Sequence, residues 1–247
     1  MGEQGQEDTI YRVLQSDILD LRLRPGMIIS IRDICDVYGT GRTPVRDALI
    51  RLSKEGLISF LPQRGTMISE IDLEKADNER FLRACVEEPV MTAFMEICPA
   101  RAVERLEASV KKQKALVAAG DCRGFLKEDV VFHSIFYEYT GRSYCDQVIN
   151  ANTGDYRRIR LLALTESGIS DSVIEQHEAM IDCILNKEEI QLHHLFDIHL
   201  GRLEDQEKIL KDKYPDLFCG GESVEKRKND GLSEDFLVEI SGRYVVD

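Results

Sequence analysis

Between Thr9 and Lys213, sequence signals for extended structure are confined to the segment from Leu57 to Ser69, and on both sides of it apolar residues recur at the three- and four-residue steps of helices. That single interruption points to a mainly α fold with one short β element near the amino terminus. The 247 residues leave room for two compact units, since single cores usually occupy roughly 100 to 200 residues. A small front domain followed by a larger helical one is the natural division.

Between Thr9 and Leu23, the residues Ile10, Val13, Leu14, Ile18 and Leu21 share one helical stripe, which Pro25-Gly26 ends. Ser30, three residues before Asp33, makes a capping-box-like start to a short second helix with Ile31, Ile34, Cys35 and Tyr38 on its inner face. Gly39-Thr40-Gly41 supplies a turn. A third helix opens at Arg42-Thr43-Pro44, where proline is tolerated because first-turn amides lack intrahelical partners, and it buries Val45, Ala48, Leu49 and Leu52 before Gly56. Two short helices joined by such a turn form a helix-turn-helix. The strand segments Leu57–Leu61 and Met67–Ser69, on either side of Pro62-Gln63-Arg64-Gly65-Thr66, add a β-wing whose tip carries Arg64. Arg42, Thr43, Arg46 and Arg51 are left on the outer side of the third helix, where guanidinium groups reach phosphates or guanine edges.

A net charge of −13 argues at first sight against nucleic acid. Within residues 30–66, however, six basic residues (Arg32, Arg42, Arg46, Arg51, Lys54, Arg64) face four acidic ones (Asp33, Asp36, Asp47, Glu55), so the deficit lies elsewhere. No stretch approaches the roughly 20 apolar residues of a membrane span. The start, residues 1–8, is polar and acidic, unlike a signal, and reads as disordered. The expectation is a soluble, cytoplasmic protein with no membrane partner. Seven cysteines without C-x-x-C spacing describe neither a disulfide framework nor a thiolate zinc site, and six of them, in apparent helices, read as small buried or half-buried apolar residues.

The string Gly41-Arg-Thr-Pro-Val-Arg-Asp-Ala-Leu-Ile-Arg-Leu-Ser-Lys-Glu-Gly-Leu-Ile, followed by Pro62-Gln-Arg-Gly65, resembles the GntR family of bacterial regulators. The resemblance implies that residues 9–69 are a winged helix-turn-helix domain and that Arg32, Arg42, Thr43, Arg46 and Gly65 contact double-stranded DNA. A homodimer would then read a pseudo-palindromic operator. Gly41 stands where serine or threonine commonly precedes the arginine, which removes one side-chain cap or phosphate contact.

After a linker at residues 70–78, residues 79–213 read as an all-α bundle with helices near 79–97, 99–119, 122–139, 144–165, 171–186 and 188–212. Pro89 should kink the first. Asp129 and His133 are four apart on a face that also carries Phe125, Phe132 and Phe136. His177 shares a face with Ile174, Ile181 and Ile184, and His199 with Leu192, Leu195, Phe196 and Leu203. His193 and His194 lie off that last stripe and read as surface or rim residues. Burying even a neutral polar group without a partner costs roughly 2 to 7 kcal/mol, so three helices should not each carry one inward unless the partner is shared. A divalent metal is the economical partner, and one carboxylate with three imidazoles suits zinc, nickel, manganese or iron, zinc being expected in the isolated protein.

The pattern Asp129-x-x-x-His133, then His177, then His199-Leu200 resembles the FCD ligand-binding domain of the FadR-type branch of GntR regulators. The resemblance implies a metal on those four residues, a small carboxylate effector on its open positions, and Arg83, beside Glu87, as a clamp for a second effector carboxylate. A repressor whose operator affinity responds to an organic acid is the function expected. Two rivals use the same residues: a regulator for which the metal itself is the signal, and a metal-dependent hydrolase, for which no general base is evident because Glu128 and Glu138 lie off the Asp129/His133 stripe. Residues 214–247 fit neither resemblance; Gly220–Gly231 reads as mobile, and Phe236–Ile240 with Arg243–Val246 as a small hairpin.

Overall fold

The computed structural model describes residues 3–167, 169–201 and 204–220, which divide into two compact units: the front residues to Asp72 together with the chain from Tyr214, and the intervening Leu73–Lys213. The front unit contains α1 (Glu3–Leu19), β1 (Ile28–Ile29), α2 (Ile31–Tyr38), α3 (Arg42–Lys54), β2 (Ile58–Leu61) and β3 (Gly65–Ile68). Helix α1 starts ahead of the expected Thr9, so the reading of residues 1–8 as disordered is corrected from Glu3 onward. Glutamate and glutamine have high helix propensity, and Asp8 is tied to Arg51 at 2.7 Å.

Local chemistry fixes the small elements. Ser30 and Asp33 form a reciprocal capping box, with Asp33 N donating to Ser30 Oγ at 3.1 Å and Ser30 N to Asp33 Oδ2 at 2.9 Å. The sheet is antiparallel in the order β1-β3-β2, with Ile28 opposite Met67 and Ser59 opposite Met67 on the other edge. Strand β1 is an addition to the sequence reading; at two residues it is too short to show alternation. The core beneath the sheet joins Leu14 and Ile18 of α1, Ile34 of α2, Val45, Leu49 and Leu52 of α3, and Ile29, Ile58 and Ile68 of the strands.

The same unit includes the start of the carboxyl-terminal segment. Pro215–Leu217 forms a 3-10 turn, and Phe218 bridges Ile71 in parallel, with Ile71 N donating to Leu217 O at 2.8 Å and Cys219 N to Ile71 O at 2.9 Å. Ile71 and Phe218 are both fully buried, and Arg24 pairs with Asp216 at 2.7 Å. The hairpin expected at 236–246 lies outside the described residues.

The helical unit contains α4 (Leu73–Ile97), α5 (Ala100–Ala118), α6 (Cys122–Tyr139), α7 (Ser143–Ala151), α8 (Gly154–Ser167), α9 (Ser170–Asn186), α10 (Glu189–Gly201) and α11 (Glu204–Lys213). Helix α5 packs on α6 and α9, α9 on α10, and α4 on α8. Two sequence boundaries change. Helix α4 starts at Leu73, taking up most of the expected linker, because Ala76 and Glu79 are already buried against the unit. It runs unbroken through Pro89. The expected helix at 144–165 is two helices: Asn152 Nδ2 donates to Val148 O at 2.7 Å and ends α7, and Thr153-Gly154 restarts the chain as α8. The expected helix at 188–212 is described as α10 and α11, on either side of residues 202 and 203, which lie outside the described residues.

An ionic cluster anchors α8 to α4. Tyr156 N donates to Glu79 Oε2 at 2.8 Å, satisfying a first-turn amide of α8, while Asp155 pairs with Lys75 at 2.7 Å and with the fully buried Arg158. The described cysteines are all free; of the six expected as buried or half-buried helical residues, Cys85 is exposed and Cys98, though half-buried, lies between α4 and α5.

Candidate functional site

On the front unit, α3 turns Val45, Ala48, Leu49 and Leu52 inward, which leaves Arg42, Thr43 and Arg46 exposed near its amino end. Gly41 adopts an extended N-cap conformation and supplies no side-chain cap. Arg32 is exposed on α2, 3.5 Å from Asp36, and Arg64 is exposed at the wing tip. Arg51 differs from the others: its guanidinium lies 3.7 Å from the ring centre of Tyr11 and pairs with Asp8, so it fastens α1 to α3. Gly65 has a structural duty of its own. Its φ is +115°, and a Cβ there would stand 2.8 Å from Ile29 O, so only glycine lets the wing lie against β1.

In the helical unit, Asp129 and His133 from α6, His177 from α9 and His199 from α10 are all buried, and one ligand atom of each lies within 4.8 Å of the others. Ligands on opposite sides of a zinc-sized cation at about 2.0–2.2 Å are up to about 4.4 Å apart, so small side-chain rotations would bring the set onto one ion. Two of the imidazoles are held alike: His177 Nδ1 is 2.8 Å from Gln113 Oε1 and His199 Nδ1 is 2.9 Å from Gln176 Oε1, whereas His133 Nδ1 faces Glu87 Oε2 at 3.1 Å without hydrogen-bond geometry. An amide oxygen opposite Nδ1 places the proton there in His177 and His199 and leaves the Nε2 lone pair for a metal. Phe132 stacks on His177 with ring centres 4.2 Å apart and fixes its plane.

The polar atoms that these contacts leave over are the test of fit. Asp129 Oδ1, His133 Nε2 and His177 Nε2 are buried without a hydrogen-bond partner, a penalty of about 1–3 kcal/mol each if nothing else is bound. All three belong to the convergent set, and one oxygen with three nitrogens is a donor set for a divalent transition metal. Burial pushes His177 down to about 3 and His199 well below the usual histidine range, so both are neutral ligands at neutral pH. Burial by itself would raise Asp129, but Arg160 and then His133 outweigh it and keep the carboxyl well below its usual range.

Arg160 was not among the sequence candidates. It extends from α8 to place Nη2 2.6 Å from Asp129 Oδ2 and is only 13% exposed. Its signal in the sequence is the four-residue step from Tyr156 to Arg160, which reading 144–165 as one helix obscured. Arg160 and His133 also line a cavity of about 170 Å³ between α4, α7 and α8, together with Arg83, Asp146, Tyr156 and Arg157. Arg83 Nε donates to Glu87 Oε1 at 2.8 Å within the buried wall. Burial opposes ionisation of Glu87, yet Arg83 and His133 together hold it down at about 2.

Residues 6–68 match the bacterial regulatory proteins of the gntR family, and residues 80–202 match the FCD domain. A regulator described as an HTH-type transcriptional regulator in an unstable DNA locus of Streptomyces ambofaciens is 28% identical over 85% of this chain and 88% of its own length. The HTH-type transcriptional repressor RspR of Escherichia coli is 22% identical over 85% of this chain and 92% of its own. The solved structure of Escherichia coli McbR/YncC superposes with a TM-score of 0.70 at 16% identity, covering 87% of this chain and all of that one, which shows a shared fold. The chain belongs to the GntR family, with an FCD domain as its second unit. It is a DNA-binding transcriptional regulator, and among its described residues no helix is long and apolar enough to cross a membrane.

Proposed function

We propose that the chain represses transcription as a homodimer on a pseudo-palindromic operator, and that a small organic acid, anchored at a metal site in the helical unit, changes its affinity for that operator. The observation that carries the reading is a shared residue: His133 belongs both to the four-ligand cluster and to the wall of the 170 Å³ cavity. A carboxylate in that cavity would thus meet Arg160 and the cation together. A divalent ion bound there supplies Lewis-acid attraction for an effector oxygen.

The chain's own residues do the rest. Gln113 and Gln176 orient His177 and His199; Asp129 offers Oδ1 inward while Oδ2 faces Arg160; Arg83, Arg157 and Arg160 set against Glu87 and Asp146 leave the cavity lining net positive. Glu87 is committed to Arg83 and faces His133, so it is poorly suited to take a proton from water; this favours a sensor over the hydrolase reading. Arg42, Thr43 and Arg46 would reach base edges and phosphates, with Arg32 and Arg64 on the backbone. Effector binding alters operator affinity only to the extent that it favours one arrangement of the dimer.

The test pairs elemental analysis of the purified protein with operator titrations by fluorescence anisotropy, with and without a panel of hydroxy acids, sugar acids and dicarboxylates. The reading expects a bound divalent ion that is lost in His177→Ala, and an operator affinity that falls when an acid binds. Operator affinity that tracks the metal alone, indifferent to every acid, would transfer the signal to the ion.

A further inference from the structure

Arg42, Arg46, Ile50 and Lys54 follow one another at four-residue steps along α3, so they form a single stripe, and all four are exposed. Three of them are cations suited to phosphates or guanine edges. Ile50, 46% exposed, is the exception, and among the described residues of α3 it is the one large apolar side chain left exposed. Single exposed apolar residues are common on protein surfaces, so its exposure alone assigns nothing. Its position does. Isoleucine is a poorer helix former than arginine, lysine or glutamine, so α3 gains no stability from it at a water-facing site. The neighbouring charges argue against a protein partner: Arg46 and Lys54 stand one turn to either side and the half-buried Asp47 one turn back on the adjoining face, whereas the centre of a protein interface is depleted of charge.

The major groove of DNA fits such a mixture of charged and apolar groups. Each thymine projects its C5-methyl into the groove among the donors and acceptors of the neighbouring bases, and apolar side chains read it by contact. Four residues advance a helix by about 6 Å, and successive base pairs are about 3.4 Å apart. A helix that places Arg46 on one base pair therefore brings Ile50 within about two pairs of it. Resting on the operator-binding reading above, in which α3 enters the major groove of each half-site, we infer that Ile50 is a specificity-determining residue that packs on a thymine methyl. Each half-site then carries an A·T pair within about two base pairs of the one that Arg46 reads. Arg46 selects by hydrogen bonds and Ile50 by an apolar contact; a cytosine at the same place would offer hydrogen instead of the methyl and a polar amino group beside the isoleucine.

The experiment selects duplexes from a random-sequence pool with the full chain, then measures affinity for the selected duplex by anisotropy at one salt concentration, each thymine being replaced in turn by deoxyuridine, which lacks only the methyl. Wild type should lose about fourfold at one thymine of each half-site, the worth of burying one methyl-sized group, and about fifteenfold when both half-sites are changed. Ile50→Ala, which removes the contact from both protomers, should bind the thymine duplex about fifteenfold more weakly and no longer distinguish it from the uracil duplex. Alanine is the better helix former and the site is exposed, so the variant keeps its fold. Ile50→Gln, as a second variant, should lose the same discrimination. No thymine sensitive to loss of its methyl, or a sensitivity that persists in both variants, overturns the inference and leaves α3 as the reading helix. An Arg42→Ala, Arg46→Ala double variant that selects the same duplexes with wild-type affinity, or a wild type that selects none, overturns that reading as well.

Discussion

The two units of this regulator assemble function in opposite ways. In the front unit, the groups proposed to meet DNA lie within a short stretch of chain, and their orientation is set by neighbours a few residues away: Ser30 caps α2, Gly39 ends it in the left-handed region, and the inward face of α3 determines what faces outward. In the helical unit, the four convergent side chains come from three helices separated by long stretches of sequence, and His177 and His199 are each aimed by a glutamine on another helix. Local rules therefore specify the first surface, whereas long-range packing specifies the second. Damage should stay local in the front unit and spread in the bundle.

Replacing both Arg42 and Arg46 by alanine should have the largest effect. Bidentate base contacts are worth about 1–3 kcal/mol each, so operator affinity by anisotropy should fall by about 2–6 kcal/mol, while metal content and bundle stability stay unchanged. Unchanged operator affinity would remove these arginines from the interface and break the comparison at its first term. Gly65→Ala should lower stability by about 1–3 kcal/mol, read by thermal unfolding, because the added Cβ meets Ile29 O and the backbone stays in a region costly for alanine.

Gln113→Leu tests the long-range term. With the Nδ1 acceptor of His177 gone, metal affinity by competitive chelation should fall about 10- to 100-fold, although Gln113 is no ligand. An affinity equal to wild type would mean that packing by Phe132 alone sets the ring. Ser30→Ala should show the smallest change, about 1 kcal/mol in stability, with operator contacts elsewhere intact.

How much could be read from the chain follows the same division. The helix-turn-helix, the wing and the Ser30–Asp33 capping box are written in adjacent residue types, and all are found where those residues stand. The convergence of Asp129, His133, His177 and His199 was legible too, because polar residues on apolar helical stripes face inward wherever the helices pack. What was not legible depends on contacts between distant segments. Arg160 becomes notable only once Asp129 is within reach, and Gln113 and Gln176 look like ordinary surface amides until His177 and His199 are placed beside them. Asn152 was readable in principle, since asparagine before Thr-Gly is a helix stop, but the apolar periodicity running across it dominated. Arg51, whose outward helical position left its role open between DNA contact and surface charge, is engaged by Asp8 and Tyr11, a contact that joins residues too far apart in sequence to be read from their types.

The pairing of Ile71 with Phe218 means that the front unit is not contiguous in sequence, and that the helical unit is in effect an insertion between its two pieces. A proteolytic nick or a stop codon just after Lys213 would leave the bundle's helices whole yet strip an apolar plug from the other unit, baring Ile71. Residues 217–219, remote along the sequence from the reading helix, thereby complete the packing of the front unit around Ile71.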